Sequence, residues 1–88
     1  MTIQFLSSAF LFAIVKYLRD EEGIRKFAQR LKKIRLDKGL TQEKLAWLAD
    51  IEPMQISKIE RGLINTSLSQ ILNLAKALEI PPADFFND

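Results

Sequence analysis

The chain of 88 residues contains no cysteine and no histidine. Without cysteine, neither a disulfide nor a thiolate metal site braces so small a fold, and the expected setting is reducing and cytoplasmic. Without histidine, the commonest general base and the commonest nitrogen ligand are both missing. The three glycines, at positions 23, 39 and 62, are too few and too scattered for a loop that cradles phosphate. No nucleophile–base pair and no metal-ligand spacing can be assembled, so no enzyme is expected and no cofactor or metal is assigned. The one acidic run, Asp20-Glu21-Glu22, reads as a solvated loop. Strand patterns are nearly absent after residue 24, and there are no internal repeats or low-complexity linkers.

Charge is where the sequence becomes informative. The net charge is +2, yet residues 24–38 alone carry +6, from Arg25, Lys26, Arg30, Lys32, Lys33, Arg35 and Lys38 against Asp37. One basic block on a weakly acidic body suits a polyanionic partner, although a solvated helix face has the same pattern. A chain this short buries a modest fraction of its surface, so added stability is expected from oligomerisation.

Apolar residues recur at helical spacing from residue 24 onward. A first helix over 24–38 carries Phe27, Leu31 and Ile34 and stops at Gly39. Thr41 caps a second, ending at Ala49 and carrying Leu45, Ala46 and Leu48. After the turn Asp50-Ile51-Glu52, Pro53 suits the first position of a third helix, where its missing N–H costs nothing. Ser67 caps a fourth, with Gln70 three residues on, and its stripe reads Leu68, Ile71, Leu72, Ala75, Leu78. Pro81-Pro82 opens a last short helix whose Phe85 and Phe86 close the core.

Two short helices joined by a few residues must cross steeply, as in a helix-turn-helix. Ala46 is small where the pair approaches, Ile51 plugs the angle, and Ile56 and Ile59 turn into the core. Asp50 falls where the turn asks for a left-handed backbone, which aspartate tolerates better than most residues other than glycine and asparagine.

The stretch from Leu31 to Phe86, roughly two thirds of the chain, resembles the Cro and phage-repressor (XRE-type) regulators, through the segments LKKIRLDKGLTQEKLAWLADI, ISKIERG and NTSLSQILNLAKALEIPPADFF. That family includes restriction-modification controller proteins and many antitoxins. The resemblance implies an all-α, five-helix repressor-like DNA-binding domain, its third helix (53–61) in the major groove of double-stranded DNA and two copies bound as a two-fold dimer. It places Gln42 and Thr41 beside a phosphate at the start of the second helix. It also implies a structural pair, Arg35 with Glu60, that aims the third helix, the arginine reaching a phosphate as well. Pro53, Met54, Gln55, Ser57 and Lys58 become the base-facing set, with Lys58 suited to guanine and Gln55 to adenine. Arg61 lies near the passing backbone. Against this, Glu52 places an acid near that backbone, Leu63-Ile64 supplies no phosphate contact, and Pro53 lacks a donor. Modest monomer affinity and dependence on dimerisation follow.

Residues 1–18 fall outside the resemblance. Thirteen of them are apolar and no charge precedes Lys16. The run is short of the roughly twenty residues a membrane span needs, and it lacks the basic start of a secretory signal. A helix over about 8–19 would be apolar on nearly all sides and must be covered. The expected division is therefore 1–23 as an oligomerisation element and 24–88 as the helix-turn-helix domain, with membrane anchoring, folding of the segment onto the domain or a strand pairing as the alternatives. The expected function is that of a sequence-specific transcriptional regulator, a dimeric repressor pairing through the N-terminal segment, the fifth helix or both. The competing reading is an antitoxin-like module that binds a protein partner, with DNA binding secondary.

Overall fold

A computed structural model describes residues 19–87. Four α-helices follow in order, α1 (Glu21–Asp37), α2 (Gln42–Ala49), α3 (Pro53–Glu60) and α4 (Leu68–Leu78), and a 3-10 helix (Pro82–Phe85) closes the chain. The described residues hold no strand, so the fold is all-α. The expected fifth helix is this single 3-10 turn. The expected N-terminal oligomerisation element, over residues 1–18, lies outside the described residues.

α1 begins three residues earlier than the apolar pattern suggests. Asp20 is its N-cap, accepting a 2.8 Å hydrogen bond from Gly23 N, and Glu21 and Glu22 occupy the first turn. The acidic run is therefore a helix start rather than a loop. Carboxylates there satisfy orphan N–H groups and oppose the positive end of the helix dipole. Thr41 and Ser67 cap α2 and α4 through the N–H groups of Lys44 and Gln70.

All four helices end alike. Gly39, Asp50, Gly62 and Glu79 each take a left-handed backbone, with φ of 70°, 55°, 72° and 58°. Each following residue reaches back into the last turn: Leu40 N to Arg35 O, Ile51 N to Ala46 O, Leu63 N to Lys58 O and Ile80 N to Ala75 O. These paired bonds satisfy terminal carbonyls and bring an apolar residue under the helix end. Leu40, Ile51 and Ile80 pack on the core, whereas Leu63 remains largely exposed.

The core joins Phe27 and Leu31 of α1, Leu45, Ala46 and Ala49 of α2, Ile56 and Ile59 of α3, Leu74, Ala75 and Leu78 of α4, and Phe85. Burying each large side chain contributes roughly 1.5–3 kcal/mol. α4 is rotated from the expected stripe. Leu74 faces the core, while Leu68 and Leu72 are exposed. Both phases offer apolar residues at helical spacing, and packing against α2 selects between them. Phe85 is buried as expected, but Phe86 is 63% exposed, covering only the ring of Phe27 with centroids 6.2 Å apart.

Candidate nucleic-acid interface

α2 and α3 are held at their turn by two apolar residues, one buried and one half-buried. Ala46 is almost wholly enclosed, so the helices approach without a side chain between them, and Ile51 packs into the angle. The left-handed Asp50 turns the chain between them. Behind α2, Asn73 on α4 donates from Nδ2 to the carbonyl of Ala49 at 2.8 Å. That bond takes up one of the carbonyls left unpaired at the end of α2.

α3 is fixed from its other side by charge. Arg35 on α1 donates from Nε to Glu60 Oε2 at 2.6 Å and from Nη2 to Glu60 Oε1 at 2.9 Å. Its Nη1 donates to the carbonyl of Leu40 at 2.7 Å. Arg35 is only 6% exposed and Glu60 only 9%. The hydrogen bond that Arg35 donates to Glu60 raises the Arg35 pKa above its ordinary value, against a smaller opposing effect of burial. Every nitrogen of the guanidinium is thus turned inward. Arg35 is therefore part of the scaffold that holds α3, with little of the side chain left in reach of a phosphate.

Gln42 joins the same cluster. Its Nε2 donates to Glu60 Oε1 at 3.1 Å, so one carboxylate holds both Arg35 and the first residue of α2. The amide has a second N–H, which is free of this bond, at a helix start already suited to anions. Thr41 is exposed beside it and spends its oxygen as an acceptor on Lys44 N.

The outer face of α3 carries Pro53, Met54 and Lys58, all exposed, with Gln55 and Ser57 half-buried. Ile56, Ile59 and Glu60 are buried opposite them. Arg61 is exposed at the helix end, its Nε 3.4 Å from the carbonyl of Ser57. Met54, Ser57, Lys58 and Arg61 follow one another at i, i+3, i+4 and i+7, so they share one side of the helix. Glu52 occupies the N-cap of α3 without a side-chain capping bond.

The basic block of α1 is divided among several tasks. Arg30 donates to the carbonyl of Asp84 at 2.9 Å, tying down the 3-10 helix. Lys26 and Lys33 pair with Glu22 and Asp37 one turn away on the exposed surface. Sequence reasoning missed Asn73, because nothing in its neighbours marks an asparagine that will meet another helix. It also missed Trp47, which stands 73% exposed with Lys44 Nζ 4.5 Å from its ring. Its position opposite Leu45, Ala46 and Ala49 was the available signal. Among the described residues, no acidic cluster could hold a metal and no helix is long and apolar enough to cross a membrane.

Residues 31–85 match the HTH_3 helix-turn-helix family. The control protein C.BamHI of Bacillus amyloliquefaciens is 44% identical over 62 residues, covering 69% of this chain and 76% of that protein. The crystal structure of the restriction-modification controller protein C.AhdI of Aeromonas hydrophila superimposes with a TM-score of 0.70. It is 46% identical, over 72% of this chain and 96% of that one. The controller protein C.Esp1396I, solved as a tetramer with its natural 35-base-pair operator, gives a TM-score of 0.69 at 38% identity over 73% of this chain and 84% of that one.

Proposed function

The chain belongs to the HTH_3 helix-turn-helix family as a DNA-binding transcriptional regulator, and on that premise we propose that it is a controller-type repressor acting as a two-fold dimer at a symmetric operator. α3 enters the major groove. Lys58 donates to guanine O6 and N7, Met54 meets a thymine methyl, and Gln55 and Ser57 supply adaptable polar contacts beside Pro53. Gln42, Thr41 and Arg61 hold the flanking phosphates. The genes under control are those of a restriction-modification system, as the names of its relatives suggest, and the site of action is the cytoplasm.

The observation that carries this reading is the anchoring of α3. A buried carboxylate at its C-terminal end binds both α1 and the start of α2, while the opposite face stays open. Binding groups fixed before contact lose less freedom on binding. The open face is lightly equipped with cations, so one copy binds weakly and two copies, their α3 helices about 34 Å apart or a multiple of that, bind well. Selection of bound sequences from random duplex DNA tests the reading. The expected result is a palindrome with half-sites one or more helical turns apart. Absence of any enriched sequence overturns it.

A further inference from the structure

A groove of about 780 Å³ runs along α1, and no residue of α3 lines it. Its apolar wall is made by Ile24 and Phe27 of α1, Ile64 before α4, Ile71 of α4, and Phe85 and Phe86. Ile64 and Ile71 are only half-buried and Phe86 is mostly exposed, so apolar area is left facing solvent. On the same wall, Thr66 Oγ1 is buried yet finds no hydrogen-bond partner among the described residues.

We propose that this groove is the docking site of residues 1–18 of the same chain. The first reason is where that segment joins the described residues. Arg19 donates from Nη2 to the carbonyl of Leu63 at 3.2 Å and pairs through Nε with Glu21 at 2.7 Å. The junction is thereby held beside the Ile64–Thr66 wall, and Asp20 itself lines the groove. The second reason is reciprocal need. Thirteen of those eighteen residues are apolar and must be covered, and the groove offers apolar surface to cover. The third is fit. The groove follows α1 over the eleven residues from Gly23 to Lys33, a helical rise of ~15 Å, and a helix over the eleven residues 8–18 would have the same rise. A connection of two residues, Arg19-Asp20, is long enough to fold one helix back on another.

Charge permits the arrangement. Lys26, Arg30 and Lys33 rim the groove, and residues 1–15 bring no side-chain charge to repel them. A second copy carries the same segment, but a tethered one acts at an effective concentration of about millimolar, which favours the chain's own. The sequence by itself favours a partner copy as the cover of 1–18 over folding onto the chain's own domain, and the groove offers a place for the second arrangement.

The full-length protein without DNA provides the test, so the outcome is separate from the reading of its DNA-binding face. A photoreactive p-benzoylphenylalanine replaces Phe86 in one variant and Lys26, on the exposed rim, in a second that leaves the aromatic cluster untouched. Helical circular dichroism confirms that each is folded. After irradiation, the expected product is an intrachain crosslink at monomer mass joining position 86 or 26 to a peptide within residues 1–18, in a yield independent of protein concentration. A crosslink to residues 1–18 that joins two chains overturns the proposal in favour of exchange between copies. Crosslinks that omit residues 1–18 in both folded variants also overturn it.

Discussion

Glu60 accepts two hydrogen bonds from the Arg35 guanidinium, at 2.6 and 2.9 Å, twenty-five residues away along the chain and almost completely out of water. A third bond from Gln42 meets the same carboxylate at 3.1 Å. The helix that presents Lys58 to solvent is thus positioned by a charge at its own C-terminal end.

Removing that charge is expected to cost more than its surface area suggests. Glu60→Ala leaves a buried guanidinium without its carboxylate, a loss of about 3–5 kcal/mol, readable as a lower urea midpoint. The paired change Arg35→Met with Glu60→Leu restores most of the stability but removes the acceptor for Gln42. DNA affinity then stays reduced while the melting curve recovers. A stable double variant that binds like the parent would rule out the positioning role.

Three single changes separate reading from gripping. Lys58→Ala is expected to cost roughly 1–3 kcal/mol at the preferred site and to relax the choice of base at one position. Arg61→Ala weakens binding to all sequences alike and lowers the slope of log affinity against log salt by about one. Gln42→Ala also weakens all sequences, but leaves that slope unchanged, because a neutral amide displaces no counterion. Electrophoretic shifts at three salt concentrations, on the selected and a scrambled site, distinguish the three.

Two of the four helix ends use an acid where glycine fits better. Asp50 and Glu79 hold φ of 55° and 58° at the negative end of a helix dipole. A left-handed L-residue costs roughly 1–2 kcal/mol, part of which glycine returns through its freer unfolded chain. Asp50→Gly and Glu79→Gly are each expected to stabilise by up to ~1 kcal/mol, raising Tm by about 4–8 °C per kcal/mol gained in a domain of this size. Gly39→Ala, at φ 70°, is expected to do the reverse. Calorimetry showing no gain at either acid would mean that their side chains find compensating local bonds.

Asn73→Ala removes the donor to the Ala49 carbonyl. The expected loss is about 1–2 kcal/mol, measured by denaturant unfolding. Asn73→Asp, which presents acceptors to an acceptor, is expected to be at least as damaging. If both variants unfold like the parent, water replaces the bond and α2 does not depend on it.

The chain's local chemistry determined much of this protein. Capping residues, apolar spacing and glycines located α2, α3 and the ends of the first three helices, because each of those features is settled within a few residues. The left-handed turn at Asp50, the small Ala46 and the buried Ile56 and Ile59 were legible for the same reason, and the order of the motifs pointed to the family. Tertiary packing decided what local chemistry left balanced. It chose Leu74 over Leu72 as the inward face of α4 and left Phe86 in solvent. It made Asn73 a partner of a carbonyl twenty-four residues away. It also buried Arg35 against Glu60, because an arginine in a basic block acquires its partner only when α1 and α3 meet. The start of α1 went the other way: its acids looked like solvent-facing punctuation until the helix dipole behind them gave them a task.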